Sequence, residues 1–322
     1  MEYIILLVTL VGIVFGADYL VAGAVSIARR YKVSDFVIGA AIIGVGTSMP
    51  ELTVSFLGAL SGNADVAIGN IVGSNIFNIF GILGLTAMFF PITFSRENLR
   101  FDIPFCVGVS ILLTLLAFNF FIGNGSCIGR LDGIILLLSF AVFMWISFYR
   151  DRHTKPQAAL PEESKQPMGP IWIPLIKVVG GLAVLIFSCD VFVDNAVLIA
   201  KSCGVSDSFI SLTLIACGTS LPELAASIAA ALKKNTSMAL GNIVGSNIFN
   251  IALILGLCAQ VSPLASTGIG IVDYLVMIAA ALTLFIFGKD CKISRGEGAI
   301  LFLCFVAYTC SLQLKSCVVV QF

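Results

Sequence analysis

Charged side chains are what this sequence has least of. Asp, Glu, Lys and Arg together make up 11% of its 322 residues, against about 25% in soluble domains. With 59% hydrophobic residues and a mean hydropathy of +1.06, the chain reads as a polytopic membrane protein, not a soluble globule. The charge that is present cancels, 18 basic against 18 acidic residues, so nothing in the balance points to nucleic acid or an acidic partner. Histidine is all but missing, the single copy, His153, lying in a polar stretch. The ten cysteines form no C-x-x-C pair and fall mostly in apolar runs, where they read as small buried hydrophobes. A site of soft metal ligands is excluded on these grounds, and no cofactor is expected. No nucleophile, base and orienting group recur in a pattern that suggests an enzyme.

Long polar segments are also missing, with one exception. Residues 150–170, "RDRHTKPQAALPEESKQPMGP", carry prolines and mixed charge and read as an exposed linker too short to fold alone. Apolar runs long enough to span a bilayer, about 20 residues each, fall at 3–28, 36–60, 66–90, 101–121, 131–149, 172–200, 208–232, 237–260, 269–288 and 298–320. The first lacks the basic flank of a signal peptide and is kept as a helix. The expected fold is therefore all-α, with ten transmembrane helices. Counting Lys and Arg on alternate sides puts fifteen on one and three (Arg130, Lys201, Lys315) on the other. By the positive-inside rule the linker is cytoplasmic and both termini face outward, in a cell (inner) membrane.

The chain states its main motif twice. "VGTSMPELTVS" at 45–55 returns as "CGTSLPELAAS" at 217–227, and "GNIVGSNIFNI" at 69–79 returns unchanged at 241–251. Between 46–85 and 218–257, at a fixed offset of 172, 26 of 40 positions are identical without a gap. Weaker matches extend outward: Phe15 and Asp18 meet Phe187 and Asp190, and Pro91 meets Pro263. The sequence thus divides into a five-helix unit at 1–149 (motif 44–85), a linker at 150–171 and a second unit at 172–322 (motif 216–257). Five is odd, so the second unit enters the membrane from the opposite face, as in inverted-repeat transporters.

Each repeated residue type has a physical use. Pro50 cannot donate to the Gly46 carbonyl and crowds that turn, so the helix should break near Gly44–Thr47 and free backbone oxygens. Such groups are tolerated at membrane depth only against protein, water or a bound ion. Thr47, Glu51 and Ser55 share one helix face, as do Thr219, Glu223 and Ser227. Asn70, Ser74 and Asn78 make a second stripe, matched by Asn242, Ser246 and Asn250. Serine, asparagine and glycine also serve as interhelical glue and packing. That reading is as good as a functional one for Asn70, Asn75, Asn242 and Asn247, and better for the glycines. Glu51 and Glu223 are different. A carboxylate at a helix centre costs about 2.5–3.5 kcal/mol on insertion scales, and no Lys, Arg or His lies in the four helices concerned. Two anions among hydroxyl, amide and carbonyl oxygens suit a hard cation such as calcium or sodium better than magnesium, which holds its waters too tightly.

These motifs, "GTSMPE" and "CGTSLPE" each followed by "GNIVGSNIFN", resemble the two alpha-repeats of the sodium/calcium exchanger family, within the cation/calcium antiporter superfamily. The resemblance covers essentially the whole chain. It implies ten helices in inverted halves and exchange of about three sodium ions for one calcium, with the bilayer and the ions as the only partners and no protein partner evident. Carried over by position, Glu51 and Glu223 would bind calcium, helped by the backbone oxygens of Thr47 and Thr219. Ser48, Ser74, Ser220 and Ser246, with carbonyls at Gly44 and Ala216, would complete the sodium sites, and Asn78 and Asn250 would lie beside the glutamates. This chain departs from members that carry aspartate at the Asn250 position, which touches any potassium dependence. Its linker is too short for the calcium-sensing domains of animal exchangers. Asp18 and Asp190, outside the motif, read as solvated or helix-pairing. A proton/calcium exchanger using the same glutamates is the alternative. A cation channel fits a closed two-fold site poorly, since channels favour symmetric rings or re-entrant filters.

Overall fold

The computed structural model describes residues 2–118, 127–153, 170–202, 216–266 and 268–319, and nearly all of them are helical. Helix α1 is Glu2–Tyr31. Helices α2 (Asp35–Thr47) and α3 (Met49–Leu60) form one apolar span bent by 49° at Ser48. There follow α4 (Ala64–Phe89), α5 (Asn98–Ala117), α6 (Arg130–His153) and α7 (Trp172–Ser202). After the helical turn Ala216–Gly218 come α8 (Leu221–Leu232), α9 (Thr236–Val261), α10 (Ile271–Phe287) and α11 (Arg295–Val319). Eight of these helices are long and apolar enough to cross a membrane, and the bent pair makes a ninth candidate. The expected span at 208–232 is described only from Ala216 onward; its first part, like most of the 150–171 linker, lies outside the described residues.

Repeated sequence gives repeated local structure. Asn63 and Asn235 each cap the helix that follows, accepting from Val66 N (3.2 Å) and Met238 N (3.1 Å), which satisfies one orphan donor of the first turn. The corner before each cap needs a left-handed residue. Gly62 supplies it at φ 74°, and its equivalent Lys234 adopts φ 59° with a side chain that makes the conformation costlier. Pro50 and Pro222 occupy the first turn of α3 and α8, where a missing N–H does no harm. The break expected near Gly44–Thr47 falls just after it, at Ser48, and the Gly44 carbonyl is not freed by it, since Ser48 N donates to it (3.1 Å). The sequence did not signal the wide π turns at Phe77–Leu83 and Phe249–Leu255, equivalent stretches of α4 and α9. Such turns concentrate at functional sites.

The motif helices sit in the middle. In α9, 89% of the apolar window is buried and in α4 72%, against 28% in α1 and in α7 and 11% in α11. The outer helices present Leu7, Phe15, Trp172, Phe187 and Leu303 outward, the pattern of a lipid-facing shell. Loops gather at two ends. Ser34 N donates to Asp151 (3.1 Å), Thr93 N to Thr236 Oγ1 (3.2 Å), and strands β1 (Ile92–Thr93) and β2 (Lys292–Ile293) pair antiparallel. This end carries Lys32, Arg96, Arg150, Lys233, Lys234 and Arg295. At the other end Ile128 bridges Leu264, and Gly268 N donates to Asp65 (2.9 Å). The structure thus groups loops as the Lys and Arg count did.

Glycine sets the closest helix contacts. A Cβ at Gly16 would press on the Leu185 backbone and one at Gly181 on Leu20, so α1 and α7 cross backbone to backbone, running antiparallel. Gly241 abuts the Phe36 carbonyl and Gly245 the Ala40 backbone, drawing α9 against α2. Gly245→Ala should therefore cost about 1–3 kcal/mol through overpacking. Gly296→Ala, where a Cβ meets nothing within 4 Å among the described residues, should be neutral or slightly stabilising. Thermal unfolding of the two purified variants in detergent checks the contrast; equal melting points would contradict it.

Candidate functional site

The break at Ser48 and its counterpart at Ser220 aim two serines and two glutamates at one another across the halves. Ser48 Oγ donates to Glu223 Oε1 at 2.8 Å, and Ser220 Oγ donates to Glu51 Oε1 at 2.8 Å. Each serine stands three residues before the glutamate of its own half, yet each serves the other half's carboxylate. Both glutamates and both serines are 0% exposed. Among the described residues neither carboxylate has an ion-pair partner; the ion pair found, Lys233 with Asp18, is elsewhere.

The asparagines hold this arrangement from behind. Asn70 Nδ2 donates to the Glu51 carbonyl (3.2 Å) and to Ser55 Oγ (2.9 Å). Asn242 repeats both bonds on Glu223 (3.2 Å) and Ser227 (2.9 Å). One amide thus pins the turn that carries each carboxylate. A second set crosses between halves at the π turns. Asn78 Nδ2 donates to Asn247 Oδ1 (3.0 Å), and Asn250 Nδ2 to Asn75 Oδ1 (3.1 Å). Asn75 and Asn247 meanwhile donate to each other's backbone carbonyls, at 3.2 and 3.4 Å. The N–H₂ groups of Asn70, Asn75, Asn242 and Asn247, for which the sequence left glue and function evenly balanced, are thus engaged in the scaffold.

What remains unpaired defines the chemistry. Of seven buried side-chain atoms without a partner among the described residues, four are acceptors that cannot donate: Glu51 Oε2, Glu223 Oε2, Asn78 Oδ1 and Asn250 Oδ1. Native proteins rarely leave such atoms orphaned, and a buried anion without compensation is costlier still. The four come as two equivalent pairs from the repeat, and each asparagine spends its N–H₂ elsewhere so that its oxygen is left over. Oxygen acceptors with two negative charges and no positive neighbour are what a hard cation requires.

The halves are not identical at every residue. Ser246 Oγ donates to the Gly44 carbonyl (3.3 Å). Its equivalent Ser74 lies 3.2 Å from Ser220 Oγ and 3.5 Å from Glu51 Oε1. Thr47 Oγ1 bonds the Ile43 carbonyl (3.0 Å) and approaches Asn242 Oδ1 (3.3 Å); Thr219 Oγ1 is buried without a partner among the described residues, which do not include position 215, the equivalent of Ile43. The Gly44 carbonyl is occupied by Ser48 N (3.1 Å) as well as Ser246. Ala216 opens the turn that leads to Thr219. The hydrogen bonds thus bring together Ser48 with Glu223, Ser220 and Ser74 with Glu51, and Ser246 with Gly44, while Asn78 and Asn250 bridge the halves at the π turns. One partnership escaped the sequence: Asp18, read as solvated or helix-pairing, forms an ion pair with Lys233 at 2.7 Å, tying α1 to the end of α8.

Fold and site together define a multi-pass membrane protein whose repeated motif helices bury an anionic, oxygen-lined centre. The chain belongs to the sodium/calcium exchanger protein family, whose sequence profile matches residues 1–149 and 173–312. It is 40% identical over 314 residues to the putative antiporter CaxA of Alkalimonas amylolytica, covering 95% of this chain and 96% of that protein. It is 32% identical over 339 residues to sodium/calcium exchanger MaX1 of Methanosarcina acetivorans, covering 95% and 97%. Among solved structures, the sodium-calcium exchanger NCX_Mj soaked with zero Na+ and Ca2+ superimposes with a TM-score of 0.82 at 30% identity, covering 97% of this chain and 98% of that one. These relatives are exchangers and antiporters, which are transporters and not enzymes.

The crossed asparagines should behave as a coupled unit. Asn75→Ala and Asn250→Ala each remove one end of the same bond, so the double variant should lose less stability than the sum. A coupling of about 0.5–3 kcal/mol is expected for residues in one network, measured by unfolding of all four proteins in detergent. Strict additivity would mean the bond contributes nothing.

Proposed function

We propose that this protein is a secondary antiporter that exchanges sodium for calcium across the membrane by alternating access. The observation that carries the reading is the set of four buried, donorless oxygens on Glu51, Glu223, Asn78 and Asn250. In this reading Glu51 and Glu223 ligate calcium, with the Thr47 and Thr219 backbone oxygens adjoining. Ser48, Ser74, Ser220 and Ser246, with the carbonyls of Gly44 and Ala216, complete sites for sodium. The proposed frame is ten transmembrane helices in two inverted five-helix units, 1–149 and 172–322, in the cell membrane. The 150–171 linker is cytoplasmic and the termini are outside. The antiparallel crossing of α1 and α7 at Gly16 and Gly181 fits units that enter from opposite faces, and family membership supports the same arrangement.

The charge at the centre explains why such a site exchanges ions and does not leak them. An empty centre would carry two negative charges through a closed, dehydrated state, at high cost. One calcium ion cancels both charges, and several sodium ions more than cancel them. Only loaded forms should then cross, so one ion species must return for the other to leave.

Glu51→Gln and Glu223→Gln keep shape and remove one charge each. A pair of unit charges 4 Å apart is worth about 4 kcal/mol at an effective dielectric of 20, and each 1.4 kcal/mol is tenfold. Calcium-45 uptake into sodium-loaded proteoliposomes should therefore fall at least about a hundredfold in each variant, with unchanged elution on gel filtration. Robust uptake by either variant would remove the assignment.

Exchange of three sodium ions for one calcium moves one net charge, worth about 2.3 kcal/mol per 100 mV. A valinomycin-clamped potassium potential should then change the sodium-driven calcium flux, an inside-negative potential favouring calcium exit. A flux indifferent to the potential would require a two-to-one ratio or proton participation.

A further inference from the structure

Between α5 and α6, away from the ion centre, an open groove of about 410 Å³ runs down the outside of the bundle. Its α5 wall is built by Phe101, Phe105, Gly108 and Leu112, which share one helix face, and Ser139 of α6 faces them. The depth comes from two small residues. Gly108 is exposed and an added Cβ there meets nothing within 4 Å, and the Ser139 hydroxyl is turned back onto the Leu136 carbonyl (2.6 Å). Phe143 of α6 packs against Phe105 (centroids 5.1 Å) and Phe101 (6.4 Å), which braces the two helices beside the groove. Both helices are membrane-spanning by length and hydropathy, so an apolar occupant is required along this stretch.

The groove has a charged mouth. Arg100, exposed and in the first turn of α5, belongs to its lining. Among the described residues it makes no hydrogen bond or ion pair, while its neighbour Arg150 is spent on the Glu97 carbonyl (3.3 Å) and the Phe101 ring (4.6 Å). From Arg100 to Leu112 the helix rises about 18 Å at 1.5 Å per residue, close to one leaflet of a bilayer whose hydrocarbon core is about 30 Å thick. A cation at headgroup depth above an apolar trough one leaflet long matches a phosphate joined to an acyl chain.

We propose that this groove binds one anionic phospholipid of the adjoining leaflet, its phosphate at Arg100 and an acyl chain laid along Gly108 and Ser139. The site is independent of the exchange reaction and uses none of its residues.

Native mass spectrometry of the delipidated full chain tests the proposal, with dioleoyl phosphatidylglycerol, dioleoyl phosphatidylcholine and inorganic phosphate as separate probes. The wild type should retain one phosphatidylglycerol in preference to phosphatidylcholine and show no binding of inorganic phosphate. Arg100→Gln should weaken phosphatidylglycerol binding about fivefold, the value of one basic residue near a membrane surface, and leave phosphatidylcholine unchanged. Gly108→Leu fills the groove where the backbone has room and should weaken phosphatidylglycerol binding at least tenfold. Ser139→Leu does so from the opposite wall, so the test survives if one variant fails to fold by gel filtration. The proposal is overturned by equal retention of both lipids, by displacement of the lipid by inorganic phosphate, or by groove-filling variants that bind as the wild type does. It is equally overturned if filling the groove instead dissociates a dimer, which would make this face a contact between copies of the chain.

Discussion

Two carboxylates held at 0% exposure, with no basic residue paired to either among the described residues, are the constraint around which this molecule is arranged. Burying an ion costs several kcal/mol even after relaxation, and one serine hydroxyl per carboxylate at 2.8 Å offsets only part of that. The surrounding asparagines are placed so as not to finish the job. Their N–H₂ groups go to carbonyls and to one another, and oxygens are what is left facing the centre. A scaffold selected for stability alone would have turned an amide donor toward each glutamate. Here the incomplete satisfaction is conserved between two halves of one chain, which argues that it is a property of the site and not an accident of packing.

That arrangement demands close and rigid helices, and glycine provides them. α9 reaches α2 backbone to backbone at Gly241 and Gly245, and α1 reaches α7 at Gly16 and Gly181. Without a hydrophobic driving force in lipid, such contacts hold helices by van der Waals packing and polar bonds. The distribution of burial follows from this. The helices that bear the site are enclosed almost completely, and the helices that shield them keep large apolar faces outward.

Much of this was legible in the sequence, for identifiable reasons. Pro50 announces a new helix start nearby, because proline is tolerated only in a first turn, and the structure bends by 49° just before it, at Ser48. The stripes Thr47–Glu51–Ser55 and Asn70–Ser74–Asn78 are visible because four-residue spacing fixes a helix face. The repeat showed which residues are equivalent. Pairings across the halves were not legible: periodicity says which residues share a face and not what that face meets, so Ser48 with Glu223 and Asn78 with Asn247 had no signal. The π turns at Phe77–Leu83 and Phe249–Leu255 were hidden because a one-residue widening leaves composition unchanged. The two-residue strands at Ile92–Thr93 and Lys292–Ile293 were too short for any pattern, and Asp18 gave no hint that Lys233, 215 residues away, would neutralise it.

The departures from symmetry carry the last step. Ser246 donates to the Gly44 carbonyl, while its equivalent Ser74 leans toward Glu51 and Ser220. The residues are the same in both halves, so neither pattern is dictated by residue type. In the antiport reading, the counterpart expected of a repeated site is an arrangement with the roles of Ser74 and Ser246 exchanged. The unrepeated residues distinguish two such arrangements, the Asp18–Lys233 pair among them, since position 61, equivalent to Lys233, is serine. In the antiport reading, units inverted in the membrane make those two arrangements face opposite sides. The duplication would then supply both arrangements with the same motif residues, and the unrepeated residues would set the balance between them.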